Sequence, residues 1–261
     1  MKILIVANSR RTKGGITSVL QQWEQMSFFK KAKYYWLETQ INAGLLSKLY
    51  YMFSSYVKAL FMLPFYDIVH FHTTPGNSII VQMPIFLYAL LWRKKIILHL
   101  HVGNQLLDHK DDGLFKYVLS KSDKVVVLAE IWKQKMYENY GISCDAIYNP
   151  YNNVDVVKSY SDREPIIFYA AYLTKNKGYD LLLKAFSRIH SKYPNWKLII
   201  AGSGEVDVAR NMIEDLNISD SVKLYSWLNK QEMNLMYNKA SIYCITSYKE
   251  GFPMSALEAW S

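Results

Sequence analysis

Two glutamates near the end of the sequence are spaced so that both can bind one ligand. Glu250 and Glu258 stand eight positions apart, and the residues between them begin with a glycine and a proline that suit a tight turn into a helix. We expect Glu250 in a loop at the carboxyl edge of a sheet and Glu258 inside the helix. Free backbone N–H groups would lie between the two acids, at Gly251, Phe252 and Met254, with Pro253 at the first helical position. That arrangement suits a ligand with hydroxyls and a diphosphate. The alternative is a helix-capping Glu250 and a solvated Glu258.

Two glycine pairs follow predicted strands and are also candidates for phosphate contacts. Gly202 and Gly204 come directly after one strand, and Gly14 and Gly15 close the connection after another. Glycine lets a backbone approach a ligand closely, but it also serves in any tight turn between a strand and a helix. Both interpretations stay open for these four residues.

Four histidines form two H-x-H pairs, at residues 70 and 72 and at residues 99 and 101. His101 stands at the end of a predicted strand, where ligands of parallel sheets collect. His99 alternates with it and is expected in the core, and His70 and His72 are more simply explained as structural residues. No carboxylate completes a ligand set at a defined spacing, so we predict no metal.

Short β-branched runs alternate with amphipathic stretches, which predicts βα units and parallel sheets. A polar stretch from Asn149 to Pro165, including Asn152 and Asn153, is the best linker candidate. It predicts an α/β fold with two Rossmann-like domains, residues 1–160 and 161–261, and a ligand in the crevice between them. The second series has only four strands, so we expect it to be incomplete.

Composition excludes several protein classes. Apolar residues make up 51% and charged residues 20% of the 261, which excludes disordered and low-complexity chains. Cys144 and Cys244 form no C-x-x-C pair, so a disulfide scaffold or a zinc finger is not expected, and a reducing cytosol fits. No tract predicts a membrane span. Residues 1–160 hold 19 Lys and Arg against 11 Asp and Glu, an excess of eight positive charges, whereas residues 161–261 hold 12 against 11. Such a basic half attracts anions, although simple solubility also explains it.

The apolar segment Leu45–Leu63 predicts a helix with two possible uses. Its basic flanks, Lys48 and Lys58, would suit a helix lying in the headgroup region of a membrane. The favoured interpretation is a core helix of the first domain with its aromatic side chains packed inward.

Several nucleotide-binding and metal-binding patterns are missing from the sequence. It contains no D-x-D, no G-x-x-x-x-G-K-[ST] and no complete G-x-G-x-x-G followed by an acidic residue. A P-loop nucleotidase and a nicotinamide dehydrogenase are therefore disfavoured.

The chain resembles a large family of retaining glycosyltransferases with two facing Rossmann domains, the GT-B type, from end to end. The segment Glu250–Glu258 resembles the E-x7-E motif of that family, and Phe168–Gly178 resembles its "GRL…KG" segment. In that segment Lys177 matches a lysine that binds the donor diphosphate, whereas Tyr172 stands where an arginine is expected. Lys175 is a candidate to replace the arginine. The loops at Gly202 and Gly14 and the histidine strands also resemble segments of the family.

The resemblance implies transfer of a sugar from a nucleoside diphosphate sugar to a hydroxyl, with retained configuration and with no metal or other cofactor. It implies that Glu250 binds the donor sugar and Glu258 the ribose, and that His101 orients sugar or acceptor. Residues Gly14 and His72 would line the acceptor side, and Gly15, Gly202 and Gly204 the donor. The expected partners are a nucleotide sugar, a saccharide or lipid-linked saccharide in bacterial polysaccharide synthesis, and an anionic inner membrane surface, with no nucleic acid. The alternative is a truncated, non-catalytic remnant that binds a partner.

Overall fold

The computed structural model describes residues 1–151 and 159–261. Within them the chain forms two compact units, one of Met1–Pro150 with Glu250–Phe252 and one of Tyr151–Lys249 with Pro253–Ser261. Each unit is a parallel α/β sheet with helices, so the predicted α/β fold class is confirmed. The sequence placed the division after residue 160, and the predicted linker residues Asn152 and Asn153 lie outside the described ranges.

The first unit is built on a six-stranded parallel sheet with the order β2-β1-β3-β4-β5-β6. Its strands are β1 (Lys2–Asn8), β2 (Lys33–Gln40), β3 (Ile68–Thr73), β4 (Lys95–Leu100), β5 (Lys124–Val127) and β6 (Asp145–Ala146). Its helices are α1 (Gly15–Gln25), α2 (Ser27–Lys30), α3 (Leu45–Met62), α4 (Asn77–Leu91), α5 (Gly113–Lys121) and α6 (Glu130–Tyr140). The central strands are buried on both sides, as their β-branched runs predict.

The second unit has a four-stranded parallel sheet with the order β10-β7-β8-β9. Its strands are β7 (Glu164–Ala170), β8 (Lys197–Ala201), β9 (Val222–Tyr225) and β10 (Ala240–Tyr243). Its helices are α7 (Tyr179–Ile189), α8 (Val206–Asp215), α9 (Lys230–Lys239) and α10 (Met254–Trp260). Because the strands are parallel, the loops after β7, β8 and β10 lie at the same carboxyl edge of the sheet. Ligands of such sheets bind at this edge.

The structure corrects the favoured interpretation of α3. Within this helix only Ser55 and Ala59 are buried, while Leu46, Phe53 and Phe61 are 84%, 59% and 73% exposed. The prediction that its aromatic side chains pack inward is therefore wrong for Tyr50, Phe53 and Phe61, whereas Tyr56 does pack against the core. Small side chains let the helix lie close to the sheet, and its bulky apolar side faces outward. No helix in the described ranges combines the length and the apolar character that crossing a bilayer requires.

Candidate functional site

The loop after β7 carries Lys177 and is fixed against the segment after β10. The Thr246 hydroxyl donates to the Gly178 carbonyl at 2.7 Å, and the Tyr248 amide donates to the Asn176 carbonyl at 2.9 Å. Gly178 has φ +68°, and a Cβ there would lie 2.1 Å from the Thr246 carbonyl oxygen, so packing requires a glycine. Lys177 is thus placed on a rigid loop at the carboxyl edge of the second sheet.

The glycine loop after β8 packs on the same β7 loop. A Cβ on Gly202 would lie 1.9 Å from the Ala171 carbonyl oxygen, and one on Gly204, with φ +115°, would lie 2.4 Å from the Leu173 carbonyl oxygen. Leu173 donates its amide to the Ser203 carbonyl at 2.7 Å. These contacts explain both glycines by packing alone. Tyr172 lies beside them and is half exposed.

Glu258 lies on α10 and is hydrogen-bonded inside the second unit. The Tyr237 hydroxyl of α9 donates to Glu258 Oε2 at 3.0 Å. Burial raises the pKa of the Glu258 carboxyl, and the Tyr237 hydrogen bond and the charge of Lys230 oppose that shift. Burial also raises the pKa of Tyr237, so this hydroxyl stays a donor. The solvated Glu258 considered above is ruled out by this half-buried, bonded position.

The segment Glu250–Phe252 is held by residues of the first unit. Trp132 Nε1 donates to the Gly251 carbonyl at 2.9 Å, and Asn149 Nδ2 donates to the Phe252 carbonyl at 2.8 Å. A Cβ on Gly103 would lie 1.9 Å from the Glu250 carbonyl oxygen. The Glu250 backbone therefore lies against the loop after β4, at Gly103, which is two residues along the chain from His101.

The four histidines form one row on a face of the first sheet. His72 is level with His99 in the register of β3 and β4, and the imidazole centroids of His70 and His72 are 4.2 Å apart and those of His99 and His101 4.5 Å. His72 Nδ1 and His101 Nε2 share a 2.8 Å hydrogen bond whose donor depends on the tautomer. The row runs from the core at His70 to the edge of the sheet at His101.

Burial keeps all four imidazoles neutral at physiological pH. It lowers the pKa of His70 to about 4 and, with repulsion from His70, that of His101 to about 3. Burial and neighbouring imidazoles hold the pKa values of His72 and His99 well below the ordinary range. Neutral imidazoles can donate or accept hydrogen bonds but supply no positive charge.

Among the described residues, three of these histidines form the one group that could hold a metal ion. One ligand nitrogen from each of His70, His72 and His99 lies within 4.8 Å of the others, and His70 Nε2, His72 Nε2 and both His99 nitrogens are buried without hydrogen-bond partners. No acidic side chain joins this group. The expectation of a metal-free protein stays a prediction.

Gly14 and Gly15 differ from the glycines of the second unit. A Cβ at either would meet open space, and Gly14 has an extended backbone. Neither packing nor strain calls for glycine here. Both residues stand at the beginning of α1, at the carboxyl end of β1.

The structure thus groups the predicted residues in two sets. Lys177, Tyr172 and the glycine loop share one edge of the second sheet, whereas the Glu250 backbone lies against Gly103, two residues after His101, in the first unit. Sequence reasoning missed the residues that fix them: Tyr237, Thr246, Trp132 and Asn149. The sequence predicts Asn149 in a linker, whereas the structure buries it. The identity of a tyrosine or tryptophan in a helix does not indicate which residue it will hydrogen-bond.

Comparisons with known proteins place these residues in context. Residues 153–261, which contain Lys177, Glu250 and Glu258, match the family model described as glycosyl transferases group 1. An uncharacterized glycosyltransferase of Haemophilus influenzae is 34% identical over 163 residues, which cover 60% of this chain and 44% of the relative. In such matches the chain spans less than half the length of the curated relatives.

Solved structures share the fold at low sequence identity. The apo form of a lipopolysaccharide outer core galactosyltransferase superposes with a TM-score of 0.62 at 19% identity, covering 99% of this chain and 78% of that one. A variant of TarM from S. aureus, solved with fondaparinux, α-GlcNAc-glycerol and UDP, gives a TM-score of 0.60 at 20% identity over 74% of this chain and 39% of its own.

Proposed function

Because residues 153–261 match the model of the group 1 glycosyl transferases, we propose that the chain is a member of that family and transfers a sugar from a nucleoside diphosphate sugar to a hydroxyl acceptor. The observation that carries the proposal is the family match over residues 153–261, which contains the E-x7-E pair and Lys177. The UDP bound to the TarM variant supports a nucleoside diphosphate donor. We further propose that the transfer retains the anomeric configuration and uses no metal or other cofactor.

Lys177 neutralises the departing diphosphate in this proposal. Charge develops on the leaving group during transfer, and a cation fixed in advance stabilises that charge without reorganisation. The anchored loop gives Lys177 this fixed position. The backbone N–H groups of Gly251, Phe252 and Met254 contribute further donors. Lys175 is the candidate for the second positive charge, because Tyr172 replaces the expected arginine.

Glu258 accepts hydrogen bonds from the ribose hydroxyls. A carboxylate offers lone pairs on two oxygens, and Tyr237 occupies only Oε2. Tyr237 is therefore a positioning residue that orients the carboxylate and leaves Oε1 for the ligand. Because burial raises the pKa of Glu258, hydroxyl donors from a bound ribose would favour its charged form.

Glu250 and His101 act on the sugar. The carboxylate of Glu250 accepts from hydroxyls of the donor sugar. His101 stays neutral, since its pKa is lowered to about 3, so it orients a hydroxyl by hydrogen bonding and does not supply charge. His72 supports its ring through the 2.8 Å bond, and the open backbone at Gly14 and Gly15 leaves room for acceptor and diphosphate.

The acceptor in this proposal is a saccharide or lipid-linked saccharide of bacterial polysaccharide or lipopolysaccharide synthesis, made at the cytoplasmic face of the membrane. The fold shared with a lipopolysaccharide outer core galactosyltransferase supports this assignment, and so does the basic character of residues 1–160, which would attract a phosphorylated acceptor.

Calorimetric titration with UDP, GDP, their sugars and the free nucleosides tests the donor assignment. Lys177→Ala should weaken diphosphate binding by about tenfold or more, the value of one charge-assisted contact, and leave nucleoside binding unchanged. Glu258→Gln should weaken both. Lys192→Ala and Glu214→Gln, at exposed positions of the same unit, are the matched controls.

Three outcomes would count against the proposal. Binding of NAD in place of any nucleoside diphosphate would indicate an oxidoreductase. Equal loss of nucleoside and diphosphate binding in Lys177→Ala would reject the role of the lysine. Binding of a nucleotide sugar without turnover, in the presence of varied saccharide acceptors, would favour the non-catalytic alternative.

A further inference from the structure

Helix α3 exposes a continuous apolar stripe, which we call the α3 face. Its members recur at the spacing of one helix side and are all more than one third exposed: Leu46, Leu49, Tyr50, Phe53, Val57, Leu60 and Phe61. The side that packs on the sheet carries Ser55 and Ala59 instead. This is the reverse of an ordinary surface helix, whose apolar side is buried.

The neighbouring helix α4 continues the apolar surface. Ile80, Leu87 and Leu91 follow one side of α4 and are 57%, 47% and 76% exposed. The two helices are joined where the Tyr56 hydroxyl donates to the Val81 carbonyl at 2.8 Å and the Tyr88 hydroxyl to the Leu60 carbonyl at 3.1 Å. A continuous exposed apolar surface of this kind marks an interaction site.

Charge around the α3 face is one-sided. Residues 39–107 contain a single acidic residue, Asp67, and five basic residues: Lys48, Lys58, Arg93, Lys94 and Lys95. Lys48 and Lys58 are exposed, and neither forms an ion pair within the described ranges. Both lie on α3 itself: Lys58 flanks the stripe, and Lys48, in the first turn, is exposed although helical spacing puts it on the side of Ser55.

We propose that the α3 face inserts into the headgroup region of an anionic lipid membrane, with α3 parallel to the surface. Lipid is the occupant that the charges select, because acidic headgroups complement Lys48 and Lys58 whereas a second copy of the chain would bring the same lysines together. Tyr50 and the exposed Trp92 after α4 have an apolar body and a polar atom, which suits the interface. The inference does not rest on the transferase reaction.

Co-sedimentation of the full chain with vesicles tests the proposal. The wild type should bind vesicles that contain phosphatidylcholine and phosphatidylglycerol. It should bind much more weakly to vesicles of phosphatidylcholine alone. The triple variant Leu46→Ser, Phe53→Ser and Phe61→Ser should lose about tenfold or more in partitioning, because three apolar anchors are removed. The double variant Lys48→Gln and Lys58→Gln should lose about tenfold on the anionic vesicles only.

The matched control is the triple variant Leu181→Ser, Val208→Ser and Leu235→Ser, which removes three apolar side chains that are 46–66% exposed on α7, α8 and α9 of the second unit. It should bind vesicles like the wild type. All substituted positions are exposed, and an unchanged thermal midpoint verifies folding. Glu258→Gln should also bind like the wild type, so a failed donor assignment and a failed membrane assignment are distinguishable.

The proposal is overturned if the wild type ignores anionic vesicles, or if both triple variants lose partitioning equally. It is also overturned if the wild type binds no vesicles and is a dimer in size-exclusion chromatography, while the α3 triple variant is a monomer. In that case the face joins two copies of the chain.

Discussion

The two units are both built of parallel strands and helices, with different strand orders, but one helix of each places its apolar side chains in opposite ways. In the second unit α7 buries Tyr179, Leu183 and Phe186 and turns its charged side to solvent. In the first unit α3 turns its apolar side to solvent, and a row of four histidines lies inside. The difference teaches that periodicity defines the two sides of a helix without deciding which one meets the sheet.

The largest expected difference between the units concerns acid. The folded pKa values of the four histidines lie below the ordinary 6.5, for example about 4 for His70. Below pH 6.5 the unfolded chain therefore binds more protons than the folded one, and the stability present at neutral pH is lost as pH falls. Each histidine lowers the free energy of unfolding by about 1.4 kcal/mol for each pH unit below 6.5. On acidification from pH 7 to pH 4.5, the first unit should therefore unfold well before the second.

Urea unfolding with pulsed hydrogen exchange, read on peptides of each unit separately, measures this difference. His99→Leu should make the first unit less sensitive to pH by about one proton, whereas His190→Gln, at the end of α7, should leave the profile of the first unit unchanged. Parallel loss of both units in the wild type would contradict the prediction.

A second pair of variants compares the helices directly. Phe186→Ala in the second unit should cost about 3–5 kcal/mol, because a fully buried ring leaves a cavity. Phe53→Ala on the α3 face should change stability by less than about 0.5 kcal/mol. Urea midpoints of the corresponding peptides provide the measurement, and a similar loss for both rings would mean that α3 packs inward after all.

Much of the fold could be predicted, because the spacing of apolar residues indicates strands and helices and the turn residues indicate where they end. The helix predicted over Leu45–Leu63 is observed as α3, Leu45–Met62. The side of α3 that faces the sheet could not be predicted, because bulky apolar residues suit a core and a lipid surface equally. Only the small residues Ser55 and Ala59, at helical spacing, hinted at close packing there.

The candidate site was predictable in its types of residue and not in its partners. The sequence placed Glu258 on a helix but could not show that Tyr237, 21 positions away, donates to it. It likewise joined Glu250–Phe252 to the second domain, whereas long-range bonds from Trp132 and Asn149 hold this segment to the first unit. Such contacts depend on tertiary packing, which local spacing does not encode.

Glycines offer a third, smaller contrast between the units. Gly178→Ala should cost about 2–4 kcal/mol, because φ is +68° and the new Cβ would meet the Thr246 carbonyl. Gly14→Ala should change stability by less than about 0.5 kcal/mol, since its Cβ would meet open space. Thermal midpoints test both. If Gly14→Ala impairs turnover without loss of stability, the glycine lets a ligand approach the backbone closely. A large loss of stability would show instead that the turn before α1 is tightly packed.

The smallest expected effect lies at the helix beginnings. Helix α9 has a capping box in which Asn229 Oδ1 accepts from the Glu232 amide at 3.0 Å, whereas Gly44, the N-cap residue before α3, provides no side-chain cap. Gly44→Asp should stabilise the first unit by a few tenths of a kcal/mol, and Asn229→Gly should destabilise the second by a similar amount. Because the new acid stands beside the α3 face, Gly44→Asp should also weaken anionic vesicle binding, which Gly44→Ser, with a neutral cap, should leave intact. Equal vesicle binding by the aspartate and serine variants would place the lipid contact away from the start of α3 and confine it to the Phe53–Phe61 part of the stripe.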